Sequence, residues 1–332
     1  MNKSFFFILL LVSFQIFAQP KFSEISSQAG SFSRMGFGAR GMSMGNAMVA
    51  ITYGDLVSYY NPAISAFQTG NSISTAYSFL SLDRNLNFLN YTRRFIFGAR
   101  KDDNKSEDYS NMTGISIGII NAGVSDIEER DNQGIKTGDI STSENLFFVG
   151  ISRRFSKALA IGFNVRFYYY HLYEEISSTG LGFDLGAIYI ISENLNLGLA
   201  ISDFNSEYKW DTNDLYGQEG RSTVDEFPLS KKIGISYRFT EPEIITAIEF
   251  ESFNNTTNFI KLGVEYKIID QLFLRGGLDK INISNSDFLP KPSLGFSYLQ
   301  NLDGWGIGFD YTFIFEPYTI QDQHIIGVNI KL

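Results

Sequence analysis

The segment Trp305–Phe315, WGIGFDYTFIF, decides the fold. Trp305, Ile307, Phe309, Tyr311, Phe313 and Phe315 alternate with Gly306, Gly308, Asp310, Thr312 and Ile314. A period of two is that of a β-strand, whose successive side chains point to opposite faces. Its length suits a tilted strand crossing a bilayer, which needs about 9–11 residues. One apolar face opposite a face of Gly, Asp and Thr fits lipid on one side and a polar lumen on the other. A soluble sandwich also alternates, but its strands average ~5–6 residues and its outward face is charged.

The pattern recurs along the chain. Leu159, Ile161, Phe163, Val165, Phe167 and Tyr169 alternate with Ala160, Gly162, Asn164, Arg166, Tyr168 and Tyr170. Leu181, Phe183, Leu185, Ala187 and Tyr189 alternate with Gly182, Asp184, Gly186 and Ile188. Ile233, Ile235, Tyr237 and Phe239 do so with Lys232, Gly234, Ser236 and Arg238, and Ile260, Leu262, Val264 and Tyr266 with Lys261, Gly263, Glu265 and Lys267. Strands are expected near 72–80, 85–96, 113–124, 142–155, 158–172, 179–191, 195–204, 229–240, 244–253, 257–268, 271–283, 292–301, 305–316 and 323–332. That is about fourteen, an even number, as closed outer-membrane barrels have. The expected fold is all-β: a transmembrane, antiparallel, up-and-down β-barrel. The stretch NLNFLNYTRRF, in the second strand, can be phased either way.

Links alternate in length. Tight ones fall at Ser156-Lys157, Ser192-Glu193-Asn194, Glu241-Pro242-Glu243, Asp270 and Asp303-Gly304, and longer polar ones at 125–141, 173–178, 205–228, 254–256, 284–291 and 317–322. This is the arrangement of periplasmic turns and extracellular loops. The segment 98–112 breaks it, being long where a short turn is due. The stretches 125–141 and 205–228 read as acidic loops of moderate size.

Composition agrees. The 332 residues include 31 Phe, 18 Tyr and 30 Gly, and only 19% are charged. The net charge of -9 argues against a nucleic-acid partner. With no Cys and two His, thiolate metal sites, disulfides and a cysteine nucleophile are excluded. MNKSFFFILLLVSFQIFAQP has one basic residue, Lys3, and an apolar run of signal-peptide length ending near Ala18. A cleaved export signal is expected over 1–18.

GFGARG, Gly36 to Gly41, has the spacing of a dinucleotide-binding turn. That motif needs a buried strand before it and parallel β-α-β units after it. The polar FSEISSQAGSFSRM precedes it and alternating strands follow, so no cofactor is expected. Asn61 can cap a short helix over 62–67 with Pro62 at its first position. The small residues of GFGARGMSMGNAMVA can pack closely on other backbone. Residues 19–70 are therefore expected to form a hatch or plug ahead of the barrel over 71–332.

GARGMSMGNAMVAITYGDLVSYYNPAISAF resembles the amino-terminal signature of the PorV/PorQ family of Bacteroidetes-type outer-membrane proteins, and the wider FadL-like transporter group. The matching positions are Ala39-Arg40, Met44-Gly45-Asn46-Ala47, Asp55 and Asn61-Pro62-Ala63. Asp55 is the one acidic residue before Asn61-Pro62, where relatives often have more, and the chain ends in Leu332 where barrels commonly end in an aromatic. The resemblance implies a fourteen-stranded barrel with a hatch motif at Arg40, Gly45, Asp55, Asn61, Pro62 and Ala63. Its first implication for function is a non-enzymatic component of type IX secretion, with secreted proteins or other secretion components as partners. Its second is passage of hydrophobic small molecules, as in FadL-like transporters. In either case outer-membrane lipids surround the chain.

Catalytic and metal sites are not expected. His171 lies beside Glu174 and Glu175 at a strand end, and His324 opens the last strand; both read as rim residues. The informative charges are those on the polar face: Arg166, Asp184, Arg238, Glu249, Glu251, Lys261, Glu265, Lys267, Arg275, Asp279 and Asp310. Their mixed signs favour a paired network bracing the plug over an open conduit, with Arg40 as a partner for inward carboxylates. The aromatic residues near strand ends read as an interfacial girdle.

Overall fold

The computed structural model describes residues 24–97, 112–173, 176–254 and 257–332. Sixteen strands follow in order: β1 (Asn71–Phe79), β2 (Asn85–Ile96), β3 (Met112–Arg130), β4 (Lys136–Arg154), β5 (Leu159–Tyr173), β6 (Ile176–Ile190), β7 (Leu195–Phe204), β8 (Glu207–Asp211), β9 (Ser222–Glu226), β10 (Ser230–Thr240), β11 (Glu243–Phe253), β12 (Asn258–Ile269), β13 (Leu272–Asn282), β14 (Lys291–Leu302), β15 (Trp305–Ile314) and β16 (Gln323–Lys331). Fourteen of them close an antiparallel barrel; β8 and β9 form a separate two-stranded sheet. Closure is made by β1 against β16, from Ser72 opposite Lys331 to Phe79 opposite His324. It leaves the ring without an unpaired edge, the condition for a sheet in lipid.

The faces divide as the alternation predicts. Ile117, Val149, Ile151, Ile161, Leu181, Leu185, Ile235 and Ile307 are exposed on the outside, where a bilayer would cover them. Ser116, Gly150, Asn164, Asp184, Glu249, Glu265 and Asp310 point inward. In β2, Leu86, Phe88, Asn90 and Thr92 face inward, which settles the phase of NLNFLNYTRRF.

The barrel has a second core inside it. Residues 30–66 carry a near-continuous run of buried side chains. The segment includes the helix α1 (Gly38–Ser43) and a 3-10 helix over Pro62–Phe67. Helix α1 touches β1, β13, β14, β15 and β16, while the 3-10 helix touches β2 through β6. Val49 reaches β7 and β10 at Gly198 and Gly234, and Met44 reaches β12 at Gly263. Contacts all round the wall place this segment within the ring.

Three expectations change. The stretch 125–141 is no loop: β3 and β4 run on through it as a ribbon that turns at 131–135. The stretch 205–228 carries its own structure, the β8–β9 hairpin with a one-turn helix α2 (Asn213–Tyr216) at its tip. In both places charged outward faces masked the continuing alternation, because these strands stand in water rather than lipid. The turn over 62–67 is a helix of the tighter 3-10 type. The export signal, most of 98–112, Glu174 and Glu175 lie outside the described residues.

The wall is uneven in height. Strands β3 and β4 have 19 residues each, against 9 in β1 and β16 and 11 in β11 and β13.

Candidate functional site

The lumen gathers buried polar and charged side chains, and small residues decide how it is filled. Gly186 has no room for a side chain: a Cβ there would lie 2.0 Å from Asn61 Oδ1 and 2.7 Å from Pro62 Cδ. Gly114 and Gly162 are held equally close to Ser65 and Pro62. On the opposite wall, a Cβ at Gly45 would lie 2.5 Å from the carbonyl of Leu262, and the residue adopts φ +59. Both its backbone conformation and its packing call for glycine. Asn61 fixes the segment locally and globally. Its Oδ1 accepts from the Ala63 N–H at 3.0 Å, capping the 3-10 helix. Its Nδ2 donates to the carbonyls of Val49 at 2.8 Å and of Ala187 at 3.1 Å in the wall.

Charges complete the attachment. Arg40 donates from Nε and Nη2 to the two oxygens of Glu265, both at 2.8 Å, and from Nη1 to the carbonyls of Tyr53 and Asp55. Arg275 shares Glu265 at 2.6 Å and reaches Ser297 and Asp310. Asp310 also accepts from Asn329. Lys261 pairs with Glu249 at 3.2 Å and Glu251 at 2.7 Å, and Glu249 accepts from the Val49 N–H. Asp279 accepts from Asn46 Nδ2 at 2.9 Å. Across the barrel, Arg166 pairs with Asp184 at 2.6 Å and Asp203 at 3.5 Å, and donates to the carbonyl of Tyr59. Buried charge is tolerated only when paired and hydrogen-bonded; the sets around Glu265, Lys261 and Arg166 meet that condition, whereas Asp279 keeps Oδ1 without a hydrogen-bond partner.

Other residues singled out in the sequence lie at the margins. Asp55 accepts from Ser72 Oγ and faces Lys331 at 3.5 Å. Arg238 and Lys267 share Glu243 at the short-turn end, half-exposed, with Arg238 stacked over Tyr53. Pro62 and Ala63 are buried in the 3-10 helix. His324 is on the outer face, its Nδ1 2.8 Å from Tyr311 Oη. His171 sits at the end of β5 opposite Ser143 and Ser177.

The long-connection end is closed unequally. On the tall side the β8–β9 hairpin folds inward against β6, with Ser178 Oγ accepting from the Lys209 N–H at 2.8 Å. Tyr168, Tyr208, Phe227 and Phe32 interlock there, with ring centroids 4.6–6.5 Å apart. On the low side a cavity of about 380 Å³ remains. Phe253, Phe259, Phe288, Leu289 and Tyr318 line it, together with Lys280, Lys291 and Glu316, and it ends on Arg34 and Met35 of the amino-terminal segment. Its volume is at the lower end of small-molecule pockets, about 300–1,000 Å³. The voids beyond it, against Asn46 and Tyr60, are about 20 Å³ each.

The fold is shared with FadL-like channels. TodX, the toluene transporter of Pseudomonas putida, superposes with a TM-score of 0.55 at 16% identity over 89% of this chain and 96% of its own. The TodX deltaS2S3 mutant, described as a monoaromatic hydrocarbon channel, gives 0.57 at 15% identity, covering 89% and 97%. A FadL homologue of Pseudomonas aeruginosa gives 0.51 at 12% identity, covering 89% and 97%. No protein-family profile and no curated protein matches the chain. At these identities the likeness is one of architecture: a closed transmembrane barrel of the kind found in outer-membrane channels, which are not enzymes.

Sequence reasoning missed two parts of this site. One is the apolar half of the lumen, where Leu86, Phe88, Ile120, Leu146 and Phe148 pack around Phe37 and Ile64. The signal was partial: Phe88, Ile120 and Phe148 each stand two residues from an inward Asn or Gly, at Asn90, Gly118 and Gly150. The other is Lys280, which strict alternation from Leu274 and Gly276 would send into lipid.

Proposed function

We propose that the protein is a FadL-like outer-membrane conduit for a hydrophobic small molecule, exported by its amino-terminal signal, with residues 19–70 as the plug. The observation that carries this is the cavity at the long-connection end, lined by aromatic rings and ending on the plug itself. A hydrophobe entering there is desolvated before it meets the segment that must move. The mixed-charge network beneath makes the rest of the lumen a poor aqueous pore, because its ion pairs fill it. The β8–β9 hairpin acts as a lid on the tall side, and among the described residues no such hairpin covers the low side, which leaves one entrance rather than a wide vestibule.

A second reading, partnership in type IX secretion, rests on the PorV/PorQ-like signature from Ala39 to Ala63 and on the ribbon of β3 and β4, a surface on which a protein could dock. The architecture shared with FadL-like channels and the cavity with its aromatic side favour the first reading.

Purification from native outer membrane, followed by mass spectrometry of bound lipids and proteins, separates the two. A hydrophobic small molecule retained by the wild type and lost on Phe253→Glu and Phe259→Glu, which put charge among the aromatic rings of the cavity, supports the conduit. Stoichiometric secretion proteins with no such molecule would sink it.

A further inference from the structure

The lipid-facing wall carries a pair of cations. In the half of each strand nearest the short turns, the outer face holds two charged side chains among the described residues, Arg93 of β2 and Arg153 of β4, both exposed. They flank the same strand. Arg93 is opposite Ile115 of β3, and Arg153 is opposite Thr113, two positions nearer the turns. Two strand spacings and one pleat repeat separate their Cα atoms, roughly 12 Å. Two arginine side chains can close such a span around one anion, with the small Thr113 as its floor.

A second feature fixes their height. Asn87, Asn121 and Asn145 form a ladder across β2, β3 and β4 on the same outer face. Asn87 Nδ2 donates to Asn121 Oδ1 at 3.0 Å, and Asn121 Nδ2 to Asn145 Oδ1 at 2.7 Å. Between the ladder and the arginines the face is apolar, with Leu89, Ile117, Phe147, Val149 and Ile151 exposed. From Asn121 to Thr113 the strand runs about eight residues, which is roughly 20 Å of height at the usual tilt. The apolar band of such barrels is about 25 Å tall. The ladder therefore marks one margin of the band and the arginines mark the other. A charge on the lipid face is costly at mid-bilayer and tolerated at the margin, where phosphates lie. The Arg93 guanidinium is 4.6 Å above the ring of Phe95, which lies nearer the turns, so the side chain runs along the wall toward the head groups.

We propose that Arg93 and Arg153 bind the phosphodiester head of an anionic glycerophospholipid in the leaflet at the short-turn end. The guanidinium groups donate to the phosphate oxygens over Thr113, a pairing that suits their planar fork. The acyl chains lie against Ile115 and Ile151. Lipid is favoured over an acidic soluble protein because the neighbours of the pair on this face, Ile151 above and Phe97 and Phe155 below, are exposed hydrocarbon. The chain as a whole carries a net charge of -9, so the pair is not part of a generally basic surface. The site is independent of what passes through the lumen.

The test uses the full-length protein in a mild non-ionic detergent. Retention of dioleoylphosphatidylglycerol and of dioleoylphosphatidylethanolamine is read by native mass spectrometry, and binding of inorganic phosphate by phosphorus NMR line broadening. Wild type is expected to prefer phosphatidylglycerol by about tenfold or more, the scale of two basic residues at a lipid surface. Arg93→Gln and Arg153→Gln should each reduce the preference, and the double variant should abolish it. The double change to Lys should keep part of it, since charge remains and the fork is lost. Lys231→Gln, on the outer face at the other end of the wall, should leave it intact. All these positions are exposed, so heat resistance of the barrel should not change. An unchanged preference in the double Gln variant, or a wild type that retains both lipids alike, overturns the proposal. Inorganic phosphate bound as tightly as phosphatidylglycerol would assign a free anion, and an acidic soluble protein lost from the purified complex on the same substitutions would assign a protein; either overturns the lipid site.

Discussion

The two halves of the barrel use the same wall differently. On the β3–β6 side the strands are long, the β8–β9 hairpin folds down inside them, and aromatic rings fill the mouth. On the β11–β16 side the strands are about as long as a bilayer requires, and the mouth holds a cavity. Bulges occur in both halves. At Ile201–Phe204 of β7, beside the tall half, the bulge brings Asp203 to Arg166; at Leu278–Ile281 of β13, in the low half, it brings Lys280 to the cavity. Rigidity and access have been separated onto opposite sides of one ring.

That contrast can be broken in order of size. Removing residues 24–68 takes out the core common to both halves, and a barrel that still assembles should pass ions freely. Planar-bilayer recording tests this, and conductance no higher than that of the intact chain would mean that the segment does not obstruct the lumen. Arg40→Glu comes next. It leaves Glu265 facing a like charge in a buried site, where breaking one partner of an ion pair costs about 3–5 kcal/mol. The temperature at which the folded band disappears on a heat-modifiability gel should fall markedly; unchanged heat resistance and conductance would remove Arg40 from any role in holding the segment. Gly186→Val should cost roughly 1–3 kcal/mol by overpacking against Asn61 and Pro62. Gly276→Ala is its control, because a Cβ there meets only side-chain and carbonyl atoms at 3.7 Å or beyond on the outer face. Denaturant titration of the two variants should separate inner from outer glycines. Phe227→Leu is the smallest, expected to loosen the lid over the tall half by about 1 kcal/mol and to raise amide exchange in β8 and β9 without altering ligand retention on the low side.

Much of this was legible in the sequence because a barrel in lipid writes its two faces onto alternate residues. WGIGFDYTFIF gives β15 almost to the residue, since Phe309 meets lipid and Asp310 meets Arg275. The capping of 62–67 by Asn61 was equally plain, because it depends only on neighbours. Legibility failed where the surroundings changed. Beyond Val124 the strand β3 leaves the bilayer, and Asp126, Glu128 and Glu129 resemble a loop although the pairing continues. Inward apolar residues such as Phe148 depend on what fills the ring, which no strand reveals alone. The bulge at Lys280 was invisible because one inserted residue reverses every later assignment of face. Within the site, alternation put Arg166, Asp184 and Glu265 on the inward face, but did not show that Glu265 lies between two arginines or that Lys280 turns to the cavity.

The ribbon made by β3 and β4 has a consequence for whatever meets this protein from outside. A strand of 19 residues outreaches the bilayer by about eight, or roughly 25 Å at 3.3 Å per residue. Its upper edges, past Gly123 on one strand and Ser143 on the other, have no neighbours in the ring. Acidic and basic side chains along them deter other strands from joining. A macromolecule approaching the barrel from its long-connection end would therefore encounter residues 126–139 well before it came near the chamber beneath.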